Sequence, residues 1–185
     1  MKISECDIDC YLVDWYGVDK NGYVFYGYST GTPCVPEFVV IEGYIKKIHP
    51  LFLYNFFDTL DTLNLQNRKY INELNNGIVS DEIREIFNNY LPESNDIKLA
   101  LKGITPFEIL DGLTPLQDRK FAKHPYHYRK IINPIDILNT KLLHFDQLPE
   151  NIKKIMDSHR VDVDVQKDDY FYIPSVFDSP LFEQE

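Results

Sequence analysis

Residues 13–28 read Val13-Asp14-Trp15-Tyr16-Gly17-Val18-Asp19-Lys20-Asn21-Gly22-Tyr23-Val24-Phe25-Tyr26-Gly27-Tyr28. On either side of Asp19–Gly22 the residues are mostly β-branched or aromatic, a composition that suits a pleated, packed surface. Asn21-Gly22 between two such runs is a strong hairpin signal, because both residues tolerate the positive φ that a tight turn needs. The first strand extends upstream toward Ile8. Tyr11, Val13 and Trp15 share one parity, and Leu12, Tyr16 and Val18 the other. Trp15 is expected in the core or half-buried on the sheet. Asp14 stands among apolar neighbours and is expected to face solvent or to accept hydrogen bonds from a nearby turn.

Beyond the hairpin, residues 29–36 form a loop punctuated by Pro33 and Pro36. Pro36-Glu37 opens a helix, with an acidic residue in the first turn. Phe38, Val39, Ile41, Ile45 and Ile48 do not separate helix from strand. Leu51 to Leu65 reads as a helix with Leu53, Phe56, Phe57, Leu60 and Leu63 on its apolar face. A helical segment over Lys69–Asn76 stops at Asn76-Gly77. Ser80-Asp81-Glu82-Ile83 has the form of a capped start for another, running through Tyr90. The chain then turns back to strand. Ile97–Leu101, Phe107–Leu110, Tyr126–Ile132, Val161–Val165 and Tyr170–Ile173 are the expected strands, and Leu148–Met156 a short helix. Val161–Val165 alternates with period two, which suits an edge strand with Asp162 and Asp164 outward and Tyr170–Ile173 beside it. The fold class is therefore α+β: an N-terminal β-hairpin, a helical middle and C-terminal antiparallel strands with a short helix, in one domain over residues 1–185.

The 185 residues carry a formal charge of −10, with 13 Tyr and 12 Phe. This charge argues against a phosphate-driven nucleic-acid binder and suits a basic protein partner. Cys6, Cys10 and Cys34 make an odd set without a second pair to complete a zinc site, which points to reduced thiols in a cytoplasmic compartment. The start of the chain has no signal-peptide h-region, and the longest apolar stretch falls short of the ~20 residues that span a bilayer.

Charge is nevertheless uneven. Residues 118–130 carry a net +4, from Arg119, Lys120, Lys123, Arg129 and Lys130 against Asp118. With Tyr126 and Tyr128 interleaved, they are the candidate nucleic-acid contact, by charge and stacking; a solvated loop that pairs with the acidic tail is the plainer reading. Residues 161–185 carry a net −6. Within them Asp162, Asp164, Asp168, Asp169, Tyr170 and Tyr172 are the candidate partner-binding residues, an acidic face able to steer a basic protein. His124 and His127 at i, i+3 offer two imidazoles, but Pro125 argues against the helix that would align them. No nucleophile elbow or phosphate loop occurs, and the sequence implies no cofactor and nominates no catalytic residue.

Val13–Val24, Gly31 and Val35-Pro36-Glu37-Phe38-Val39 resemble the opening of a set of small bacterial proteins. In these a "D-W-aromatic-x-V-D-x-x-G" strand and a glycine loop lead into a "V-P-E" helix start. Lys102–Phe107, Asp111-Gly112, Pro134 and Leu148–Ile152 are similar to their C-terminal half. Several members are immunity-like proteins that neutralise polymorphic toxins. The resemblance implies a non-enzymatic cytoplasmic protein that binds and inhibits a partner, such as a basic toxin domain. The alternatives are a hydrolase or ligand-binding enzyme with a site assembled from distant residues, and nucleic-acid contact through residues 119–130.

Overall fold

The turn and the two aromatic runs build a hairpin. The computed structural model describes residues 14–29, 35–41, 50–60, 67–87, 95–109 and 126–173. In it β1 (Asp14–Val18) and β2 (Val24–Tyr28) pair antiparallel, with Trp15 opposite Gly27 and Phe25 opposite Gly17. Each ring lies across the facing glycine. A Cβ at Gly27 would meet Trp15 Cε2 at 2.4 Å, and one at Gly17 would meet Phe25 Cζ at 2.4 Å. The glycines therefore give the rings a place against the sheet.

The turn is organised by Asp19, which is wholly buried. Its Oδ1 accepts the N–H of Asn21 at 2.9 Å and of Tyr23 at 2.7 Å. Gly22 provides the left-handed residue at φ +91°. The second oxygen of Asp19 reaches out of the hairpin and accepts the N–H of Val165 at 3.1 Å.

Among the described residues the sheet has five strands in the order β1-β2-β3-β4-β5. β3 (Thr105–Ile109) runs parallel to β2, while β4 (Tyr126–Lys130) and β5 (Tyr170–Ile173) continue antiparallel. A parallel pair needs a long crossover, and the helical middle lies within it. It contains α1 (Glu37–Val40), α2 (Pro50–Asp58), α3 (Arg68–Asn75), α4 (Asp81–Ile86) and α5 (Asn95–Leu101). The Ser80 side chain caps α4, accepting the N–H of Ile83 at 3.3 Å. α6 (Glu150–Met156) lies between β4 and β5 in sequence.

Both faces of the sheet are packed. On one, Trp15, Phe25, Phe107, Tyr128 and Phe171 meet Val40, Val163 and Val165. Trp15 contacts Phe25, Phe38, Tyr128 and Phe171 edge-on at 5.4–6.4 Å, and its indole N–H donates to the Tyr128 hydroxyl at 3.1 Å. On the other, Tyr16, Val18, Val24 and Tyr26 meet α2, α5 and α6 through Leu53, Phe57, Leu99, Ile152 and Met156. A third cluster joins α3, α4 and α5 to Ile132 and Ile137.

Two expected strands are corrected. Ile97–Leu101 is helical. Leu99 enters the sheet-facing cluster while Ile97, Ala100 and Leu101 enter the helical one, so burial on two sides erases the one-sided period that marks a surface helix. The helix ends in a Schellman turn: Ile104 N–H donates to Leu99 O at 3.0 Å, Gly103 N–H to Ala100 O at 2.9 Å, and Gly103 has φ +84°.

Val161–Val165 is coil and turn, and the strand beside Tyr170–Ile173 is β4 instead. The alternation holds for the valines, since Val163 and Val165 are buried. Asp164 is buried with them rather than outward. The segment runs against the hairpin tip, not along a strand. Val161 N–H donates to Val18 O at 3.0 Å and Lys20 N–H to Val163 O at 3.1 Å. The extension of the first strand to residues 8–13, the helical stretches 61–65 and 88–90, and Leu110 lie outside the described residues.

Gly27→Ala is expected to lower stability by about 1–3 kcal/mol, the usual range for an overpacked core. It should also change the near-ultraviolet circular dichroism of Trp15. An unchanged urea midpoint would show that the ring does not need the glycine.

Candidate functional site

The strand register assembles a polar row that crosses the whole sheet. Asp14 pairs with Tyr28, Tyr28 with Glu108, Glu108 with Arg129, and Arg129 with Tyr170. Residues in register project to the same face, here the face that α2, α5 and α6 cover further along. Arg129 Nη2 donates to Glu108 Oε1 at 2.8 Å, and both side chains are partly open to water. At the far end Tyr170 and Tyr172 are 53% and 56% exposed, whereas Phe171 and Ile173 between and after them are buried.

At the near end the row is drier. Tyr26 donates a hydrogen bond to Asp14, whose Oδ1 is buried without a hydrogen-bond partner. Asp14 is thus half-buried, and the donor it meets is a strand tyrosine rather than a turn. Burial raises its pKa, and the Tyr26 hydrogen bond opposes the shift. Burial, with the charge of Asp14 next in weight, pushes the Tyr26 hydroxyl far above its ordinary range; burial does the same to Tyr16. Asp96 of α5 is raised by burial and then by the negative charge of Glu108. Asp96 thus feels the charges of both Glu108 and Asp14, and Glu108 is the carboxylate that Arg129 contacts.

Beside this lies a cleft lined by Tyr16, Tyr54, Asp58, Asn95, Lys98 and Lys102, with a volume of about 10 Å³. That is room for a single water molecule. Lys102 is committed to structure. Its buried ammonium donates to the backbone carbonyls of Phe57 and Asp58, closing the C-terminus of α2.

The sequence-nominated acids separate in space. Asp162 is exposed. Asp168 Oδ2 accepts the N–H of Asp164 at 2.8 Å, and Asp164 Oδ1 accepts that of Gln166 at 3.2 Å, so both serve the turn after Val163. Burial works against ionisation of Asp164. The Asn21 side chain, the Gln166 N–H and Lys167 outweigh it and hold the carboxyl below its usual range. Asp169 lies 3.4 Å from Lys130 Nζ. Of the nominated cations, Arg129 faces Glu108 and Lys130 faces Asp169. Arg119, Lys120, Lys123 and His124 lie outside the described residues. Tyr170 and Tyr172 are brought to the polar row. Asp14, Tyr28, Asp96 and Glu108 were not nominated from sequence; an isolated aspartate in an aromatic strand was the available signal for Asp14.

Among the described residues, no group of three or more His, Cys, Asp or Glu side chains is arranged to hold a metal ion, and no helix is long and apolar enough to cross a membrane. No known protein family, curated protein or solved structure matches the chain.

The raised pKa of Asp14 fixes a sign for pH dependence. The folded state holds this proton more tightly than the unfolded chain. The stability this carboxyl contributes is therefore complete below its unfolded value of about 4 and is lost as pH rises through the higher folded value. Asp14→Asn should raise the urea midpoint near neutral pH, and the gain should vanish in acid. A variant less stable than wild type at neutral pH would mean that the carboxylate is favourably paired.

Proposed function

We propose that the chain is a non-enzymatic protein-binding domain that acts in the cytoplasm as an immunity-type inhibitor of a basic toxin domain. The observation that carries this reading is the pair of tyrosines on β5, each more than half exposed beside a polar row. A tyrosine offers a rigid apolar ring and a hydroxyl at low entropic cost, which is why such residues anchor protein interfaces. The net charge of −10 would speed the approach of a basic partner. The resemblance of the hairpin to immunity-like proteins supports the same reading, though through residues that serve folding.

The enzyme alternative draws on Asp14 and Asp96, distant in sequence and both raised by burial. The cleft beside Tyr16 gives a substrate no seat, since one water fills it. Nucleic-acid contact is weakened by the engagement of Arg129 and Lys130 with carboxylates.

The test is growth of a bacterial host expressing a toxin domain encoded beside this gene, with and without the chain; a gene with no such neighbour counts against the proposal. Restored growth is expected, together with loss of protection in Tyr170→Ala/Tyr172→Ala. Unrelieved toxicity with folded wild-type chain present would overturn the proposal.

A further inference from the structure

A histidine at the hairpin tip uses both of its ring nitrogens, and its partners fix where its proton sits. His144 stands just before the short 3-10 turn Phe145–Gln147 and caps it. Its Nδ1 accepts the N–H of Asp146 at 3.2 Å, while Gln147 Oε1 accepts the N–H of His144 at 2.8 Å. Nε2 lies 3.0 Å from the carbonyl oxygen of Asn21 in the hairpin turn. An amide N–H only donates and a carbonyl only accepts, so the ring is neutral with its hydrogen on Nε2. The ring also lies across Gly22, where a Cβ would overlap Nε2, and it meets Tyr23 edge-on at 5.5 Å. One side chain thus ties the turn at 145–147 to the hairpin tip.

We infer that His144 is a pH-operated latch: a second proton on the ring releases the turn at 145–147 while the ring keeps its hold on the hairpin. In an imidazolium both nitrogens carry hydrogen. Nε2 goes on donating to Asn21 O, but Nδ1 no longer accepts, and the Asp146 amide loses its acceptor. Among the described residues, two titratable groups face the ring: Asp146 from its own segment and Tyr23 from the hairpin. Tyr23 meets it ring against ring. The Asp146 carboxylate is largely exposed, and its Oδ2 lies 3.4 Å from Nδ1, where it is placed to accept from the new N–H. Protonation therefore exchanges the backbone of Asp146 for its side chain on the same nitrogen. The Phe145 N–H, which donates to Gly22 O at 2.7 Å, is the next bond along and loosens with the turn. Asp19 is untouched, since its donors are Asn21, Tyr23 and Val165. The latch does not depend on the inhibitor reading above.

The test is NMR of the full chain from about pH 8 to about pH 5, the window in which imidazoles change charge. At the upper end the ring nitrogens of His144 should show the tautomer with hydrogen on Nε2. As the ring takes up its second proton, hydrogen-exchange protection of the Asp146 and Phe145 amides, corrected for the intrinsic rate at each pH, should fall by about fivefold or more, as for the loss of a cap. Protection of Tyr23 should hold. In His144→Asn the amide oxygen takes the place of Nδ1, and Asn is a favoured cap in this extended conformation. The Asp146 amide should then keep its protection at every pH. A neutral ring with hydrogen on Nδ1 would overturn the inference. So would unchanged protection of Asp146 in the wild type, an equal fall at Tyr23, or the same fall in His144→Asn.

Discussion

A single carboxyl group holds the two ends of the described fold together. Asp19 is withdrawn from water, and a buried carboxyl is tolerated only where donors surround it. Its donors come from two places: Asn21 and Tyr23 in the hairpin turn, and Val165 far along the chain. The same side chain therefore shapes the turn and fastens residues 161–165 across it. Neighbouring bonds extend the grip. Val18 N–H donates to His159 O at 2.8 Å, Val24 N–H to Leu143 O at 2.9 Å, and Phe145 N–H to Gly22 O at 2.7 Å. The hairpin tip is thus clasped by two C-terminal segments, and Val163 and Val165 are delivered to the aromatic cluster around Trp15.

That clasp bears on the surface at the other side of the sheet. β4 and β5 complete an aromatic layer with Trp15 on one face, where Tyr128 stacks on Phe171 at 4.9 Å. Once Phe171 and Ile173 point inward, Tyr170 and Tyr172 must point outward, because strand side chains alternate. The exposed tyrosines are a consequence of core packing. Their place at the end of a row containing Asp14, Glu108 and Arg129 follows from register, since a slip by one residue would carry them to the opposite face.

The hairpin was legible in the sequence because its determinants are local: Asn21-Gly22 for the turn and aromatic residues on both sides. The stop of α3 and the start of α4 were legible for the same reason, through Asn76-Gly77 and Ser80. Ile97–Leu101 misled because five apolar-rich residues carry no period once a helix is buried on two sides. Gly103, just past its end, was the signal that separates the two readings. At residues 161–165 the period of two was real, but its meaning depended on the neighbour. Backbone groups that bond to a turn and to Asp19 have no strand to join. The polar row was beyond a local reading, since it joins positions 14, 28, 108, 129 and 170 through four strand pairings.

Native-state hydrogen exchange at the Val165 amide tests most directly whether Asp19 couples the turn to the distant segment. The account predicts that this amide is protected and opens together with those of Tyr23 and Val18, as members of one cooperative unit. Exchange of Val165 at the rate of an unstructured amide, while Tyr23 stays protected, would show that the hairpin stands without its clasp and would contradict the account.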